Sequence, residues 1–286
     1  MQIVVTGAVN ALVLSSMYIL VALGFALLLS IAGILNFAHG AIYMVGGYIC
    51  YQFAVGFGLN LWLSLLVSVL IVGLLGLLLE KFCFRAFFGD MVNSIIMSVA
   101  LIIILETTVN VTVGVYIRSI PQFASGIIRS GAISISAERI VTLIIGGILL
   151  LLFTLFIKKA KIGLEMLAIS QDPVGAVLQG INIHSICALA FFMGCGLAAV
   201  AGCLMGAVFG LSPFMGDFIL VKAIQLVILG GIGSTFGILV AGLIIGSIDA
   251  TLPLFVTGAV TDVVGFGVIV VLLLLRPQGL FGRREP

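Results

Sequence analysis

Residues 10–32, NALVLSSMYILVALGFALLLSIA, form an uncharged stretch with apolar side chains on every helical face. A helix of that length rises roughly 34 Å, enough to cross the hydrocarbon core of a bilayer. A surface helix of a soluble domain would show a polar stripe, and none is present. The silence extends outward: no Asp, Glu, Lys or Arg occurs from Met1 to Leu79, and the first charge is Glu80. Over the whole chain of 286 residues, 63% are hydrophobic and 8% charged, about a third of the charged share of a soluble domain. An ordinary water-soluble fold is thereby excluded.

Each crossing with its turn uses about 30–35 residues, so the length accommodates eight or nine spans. The expected fold is all-α, one polytopic membrane domain over residues 1–286. Apolar runs place spans near Asn10–Ala32, Ala41–Val55, Leu61–Leu79, Val92–Val113 and Ile140–Ile157, then His184–Leu211, Ile219–Gly230, Phe236–Thr251 and Val263–Leu275. The second and seventh runs are short and Gly-rich at one end, which suits broken or re-entrant helices. Met1 to Val5 carry no Lys or Arg, so the charged start of a cleavable signal peptide is missing. Insertion is expected to be directed by the spans themselves.

The cations orient the array. Lys81 and Arg85 follow the third run, Lys158, Lys159 and Lys161 the fifth, and Arg276, Arg283 and Arg284 the last. With nine crossings these eight share one side, against Arg118, Arg129, Arg139 and Lys222, which favours an outside N-terminus and a cytoplasmic C-terminus. Residues 114–138 then form an extracytoplasmic loop, whose Ile and Ser alternate from Ile133 to Ser136 as in a short hairpin. Residues 158–183 form the longest cytoplasmic loop. A net charge of +2 gives no reason to expect a nucleic-acid partner. The five cysteines lack metal-ligand spacing and read as packing residues; neither a metal nor a cofactor is expected.

In the inner loop, Leu164, Leu167 and Ala168 recur at helical spacing opposite Glu165 and Gln171, in a segment running from Gly163 through Ser170 to Asp172. Pro173 ends that helix, and a second, Val174 to Leu178, precedes Gly180 as C-cap. Such a pair suits either a groove on a partner protein or the lipid headgroup layer. Asn36 and His39 interrupt the apolar stretch from Ala8 to Val55, and Glu106 lies inside a span; each either faces a pathway or marks an interface. Gly194, Ala198, Gly202, Gly206 and Gly210 recur every four residues as a small-residue ridge for close helix packing. Four glycines between Gly230 and Gly237 flank Ser234; they suit either a helix break whose amides meet a substrate carboxylate or a plain tight turn. Asp217, Lys222, Asp249 and Asp262 read as interfacial charges at outer span ends.

Gly33 to Tyr48, GILNFAHGAIYMVGGY, resembles the early signature of LivH-type permeases of branched-chain amino acid ABC importers. Ser170-Gln171-Asp172 with Gly180-Ile181-Asn182 is similar to that family's cytoplasmic loop, Leu229 to Ser234 to its late Gly-rich segment, and Arg276 to Gly282 to its C-terminal signature. Ala41 and Glu165-Met166 depart from the family pattern. The resemblance spans the chain, and its four matches are specific in combination. It implies an inner-membrane subunit that performs no chemistry itself. Its implied partners are a LivM-like second permease, two LivG- and LivF-like ATPases and an extracytoplasmic binding protein. The segment from Gly163 to Gly180 would then be the coupling element against an ATPase, and Asn36, His39, Glu106 and Ser234 the polar groups of the pathway. Branched-chain or other hydrophobic amino acids are the expected substrates, with urea or short amides as the alternative within the family. An ion-coupled secondary transporter using Glu106 is the rival from another class.

Overall fold

The computed structural model describes residues 2–130 and 133–282. Every apolar run becomes a helix. In chain order these are α1 (Gln2–Ala32), α2 (His39–Tyr51), α3 (Leu61–Leu79), α4 (Met91–Val113), α5 (Ala137–Lys159), α6 (Lys161–Gln171), α7 (Pro173–Leu178), α8 (Ile183–Phe209), α9 (Met215–Gly230), α10 (Thr235–Thr251) and α11 (Gly258–Leu275). Between α4 and α5 lies one antiparallel hairpin, β1 (Ile127–Ser130) and β2 (Ile133–Ser136), with Ile127 opposite Ser136. Among the described residues six helices are long and apolar enough to cross a membrane, and α11 contributes a shorter apolar stretch, Val260–Leu275. The helices α2 and α9, with 13 and 16 residues, are too short to do so alone.

Side-chain caps start five of these helices, α3, α4, α7, α8 and α10. Asn60 accepts from the Trp62 amide at 2.9 Å, Asp172 from Gly175 at 2.9 Å and Asn182 from Ser185 at 3.3 Å. Asp90 caps α4 by accepting from the Asn93 amide at 3.1 Å. That backbone bond, with a second from the Asn93 side chain, holds the Asp90 carboxyl below the usual range. The starts of α2 and α9 differ: Ala38 and Phe214 occupy their cap positions and supply no side-chain oxygen.

At the centre α1 and α8 run antiparallel, with the Cys187 thiol by the Ile31 carbonyl and Gly194 by Gly24. The remaining contacts pair up around them. The helix α10 packs on α1 as α3 packs on α8; α9 packs on α1 as α2 packs on α8; and α2 meets α9. The unit α8–α10 is therefore an inverted counterpart of α1–α3. Both long central helices end on a glycine in the left-handed region, Gly33 (φ 65°) and Gly210 (φ 87°), and the chain then folds back into the bundle. The His39 ring consequently lies against Gly24 and Phe25, eight residues or about 12 Å inside the end of α1. Each short helix is preceded by a short non-helical segment, residues 33–38 before α2 and 210–214 before α9. The short second and seventh runs are thus short helices that follow a break at the end of each long central helix.

Close backbone approach holds α2 in place. A Cβ on Gly46 would collide with Ala199, and one on Gly202 with the Tyr43 carbonyl, so the Gly46-Gly47 pair seats α2 directly on α8. At one end of the bundle lie α6, α7, the end of α1 and the Glu80–Arg85 turn, where Arg85 donates twice to the buried Glu80 carboxylate (2.9 and 2.8 Å). At the other end Arg118 and Leu211 exchange backbone bonds, tying the 114–126 segment to the entry of α9. Lys158, Lys159 and Lys161 sit at the α6 end. Arg283 and Arg284 lie outside the described residues, and Lys222 belongs to neither loop set, because it is buried.

Candidate functional site

Where α1 folds back into α2, Asn36 and His39 are fully buried. Only a backbone bond links them, from the His39 amide to the Asn36 carbonyl (3.2 Å). Neither end of the Asn36 amide and neither His39 ring nitrogen makes a well-formed side-chain hydrogen bond, although the Val21 carbonyl stands near the ring. Unmet polar groups at this depth are costly. The uncapped starts of α2 and α9 meet beside them at Gly40 and Gly216.

Glu106 and Ser234 are not part of this cluster. Glu106, on α4, faces Asp217 near the start of α9. Ser234 is the cap of α10, its Oγ accepting the Gly237 amide at 3.0 Å. The Gly-rich segment is a tight turn, and the C-terminal segment bonds to the two carbonyls that lead into it. Leu280 donates to the Leu229 carbonyl (2.8 Å), Phe281 donates to the Gly230 carbonyl (3.1 Å), and the Phe236 and Phe281 rings meet edge to face at 5.0 Å. A Cβ on Gly231 or Gly279 would strike this opposing backbone. The late Gly-rich segment and the C-terminal signature are thus two sides of one clasp.

An ion cluster on α9–α11 was not read as such in the sequence. Lys222 is 1% exposed, not interfacial as expected. Its Nζ lies 2.9 Å from an Asp249 oxygen and 3.1 Å from an Asp262 oxygen, and 5.0 Å from the Phe218 ring centre. Tyr18 of α1 stands beside the same Asp249 carboxylate. A lysine three residues into the apolar run starting at Ile219 was the available signal, since such a charge inside a span needs a partner.

At the other end α6 and α7 form an angled pair. Met166, Ile169 and Ala176 anchor it, and Gly163 is pressed on Phe156 and Ile157. Leu164, Leu167, Val174, Val177 and Leu178 stay exposed. Glu165 reaches Lys161 at 4.0 Å, Ser170 donates to the Leu167 carbonyl, Asp172 caps α7, Gln171 is exposed, and Gly180 closes the pair at φ 83°. A cavity of about 60 Å³ lies beneath α6, lined by Ala26, Leu27, Met166, Leu167, Ser170 and Gly233.

Within the described residues the small-residue ridge of α8 faces its own chain. Gly194 meets Gly24, Gly202 meets Tyr43 and Gly47, Gly206 meets Leu211 and Ile120, Ala198 is fully buried, and Gly210 ends the helix.

Residues 7–273 match the family model described as branched-chain amino acid transport system / permease component. The chain is 31% identical to the high-affinity branched-chain amino acid transport system permease protein LivH of Salmonella typhimurium, over 96% of this chain and 94% of that one. It is also 31% identical to BraD of Pseudomonas aeruginosa, over 97% and 95%. With LivM of Escherichia coli K12 the identity is 25%, over 98% of this chain and 71% of LivM. No solved structure matches. A match that covers nearly the whole helical array, together with relatives of equal extent, settles the family: this chain belongs to the branched-chain amino acid transport system permease components.

Proposed function

We propose that this chain is the membrane-spanning subunit of an ATP-driven importer for branched-chain or other hydrophobic amino acids. Its partners are a second, LivM-like permease, two LivG- and LivF-like ATPases and an extracytoplasmic binding protein that delivers the substrate. It resides in the bacterial cytoplasmic membrane and crosses it nine times, α2 and α9 each crossing with its extended segment. The N-terminus is outside, and the α6–α7 end, with its lysines, faces the cytoplasm.

The observation that carries this reading is the α6–α7 pair. Its apolar residues Leu164, Leu167, Val174, Val177 and Leu178 are exposed, a form suited to a groove on a partner protein. Closure of the ATPases on ATP pushes this pair, and the gap beneath α6 gives it room to move. The push reaches α1, α5 and α8 first, because α6 packs on all three. Rocking of α1 and α8 then opens the path alternately to each side. Asn36 and His39 at the half-helix junction, with Glu106 and the turn capped by Ser234, are the polar groups of that path. The hydrophobic substrate side chain crosses against apolar walls, so selectivity resides chiefly in the binding protein.

Affinity purification of the tagged chain in mild detergent, followed by uptake into vesicles, tests the assignment. Two ATPases and ATP-dependent leucine uptake are expected. Uptake by the purified chain alone, driven by an ion gradient, would overturn it.

A further inference from the structure

The helix α9 is mostly internal, yet it surfaces along one stripe: Phe214, Asp217, Phe218, Val221 and Ile228 are exposed. Glu106 of α4 borders the stripe on one side, facing Asp217. Asp262 of α11 borders the other, half-exposed while it holds Lys222. Four of the chain's ten carboxylates, Glu106, Asp217, Asp249 and Asp262, therefore gather around one helix against a single lysine. The formal excess is three negative charges within the helical array. Charges at this depth are tolerated only where they face protein or a water-filled cavity, so this stripe does not face lipid. One turn beyond Lys222, Gln225 is 2% exposed, and both its amide oxygen and amide nitrogen lack a partner. A helical offset of three or four keeps it on the face of Val221 and Lys222.

We propose that this face of α9, between Glu106 and Asp262, is a wall of the translocation pathway and a site for a cationic nitrogen, the ammonium group of the passing substrate. The assignment rests on the transport reading above and adds to it where the ammonium is held. Lys222 is saturated by Asp249 and the nearer Asp262 oxygen, so it cancels one charge and leaves the wall acidic. A cation entering between the carboxylates relieves their mutual repulsion. Phe218 and Val221 offer the apolar surface for the substrate side chain, and the unmet Gln225 amide is the next polar group along the helix.

The test uses the full chain, co-expressed with its partners, in membrane vesicles. A Val221→Cys variant is treated with a cationic and an anionic methanethiosulfonate of similar size, and the parent chain corrects for native thiols. The cationic reagent is expected to react about tenfold faster. That preference should fall when Glu106→Gln, Asp217→Asn and Asp262→Asn are combined, and leucine should slow the reaction. Equal rates, no reaction with either reagent, or no slowing by leucine in vesicles that still take leucine up would overturn the site. Preference for the cationic reagent in vesicles without ATP-dependent uptake would instead overturn the transport reading and assign the wall to another cation.

Discussion

Gly40 and Gly216 meet backbone to backbone where α2 and α9 begin, so that a Cβ on either is driven into the other's carbonyl. The contact joins the two inverted halves. Neither neighbour is a side chain that could rotate away, so relief requires separating the helices. Overpacking costs about 1–3 kcal/mol, and both Gly40→Ala and Gly216→Ala should fall at the upper end. Gly147 of α5 has open space around it, so Gly147→Ala should be neutral or slightly stabilising through helix propensity. Thermal unfolding in detergent of the three variants reads the difference.

That junction also shows what the sequence could reveal. The runs themselves were legible, because an all-apolar stretch has one physical solution in lipid; Leu61–Leu79 coincides with α3 to the residue. The helix pair α6–α7 was legible from Pro173, Asp172 and Gly180, which act locally. The inverted pairing was not, since it depends on which distant glycines meet. Lys222 was misread for the same reason. Its partners lie 27 and 40 residues away, and sequence proximity to a span end suggested an interface instead. The resemblance places Ser234 among the polar groups of the pathway; locally its oxygen also starts α10, a capping role that the sequence reading does not assign.

Lys222→Met should destabilise the protein by about 3–5 kcal/mol, because the buried Asp249 carboxylate then loses its cation. Adding Asp249→Leu should recover most of that loss, since an apolar pair of similar volume is tolerated in place of a buried ion pair. Midpoints of denaturation in mixed micelles check the pair. A double variant no more stable than Lys222→Met would mean that the lysine acts through Asp262.

The clasp between the α9–α10 turn and the C-terminal segment predicts a graded response. Phe281→Ala removes the edge-to-face contact with Phe236, worth about 0.5–1.5 kcal/mol beyond buried area. Gly279→Ala should cost more: its φ is 78°, and a Cβ there meets the Gly231 nitrogen and the Ile228 carbonyl. Hydrogen exchange of residues 229–237 should quicken in both variants, most in the second, while the amides of α2 stay protected.

Asp90 gives the α4 start a pH dependence. Its carboxyl is held below the usual range by the Asn93 amide first and the Asn93 side chain second. A depressed folded value means the cap's contribution is complete at neutral pH and is lost as pH falls through that value. Protection of the Asn93 amide, measured relative to its intrinsic exchange rate at each pH, should therefore fall in acid. Asp90→Asn keeps a good cap without a titrating group, and it should remove this loss of protection in acid while leaving protection at neutral pH nearly unchanged.

The α6–α7 surface separates coupling from folding. Val174 and Leu178 are 70% and 80% exposed, so replacing either by Asp alters stability little, about 0.5 kcal/mol or less. In a partner groove the same charge would be buried without a counter-ion, which costs far more. Val174→Asp and Leu178→Asp should thus leave the melting temperature unchanged and abolish recovery of ATPases with the tagged chain. Ala176 lies on the anchored face of the same short helix. Ala176→Asp should instead lower the melting temperature, so the two faces of α7 give opposite readouts. Co-purified ATPase and melting temperature, measured on one preparation of each variant, separate docking from packing; full ATPase recovery with Leu178→Asp would remove α7 from the interface.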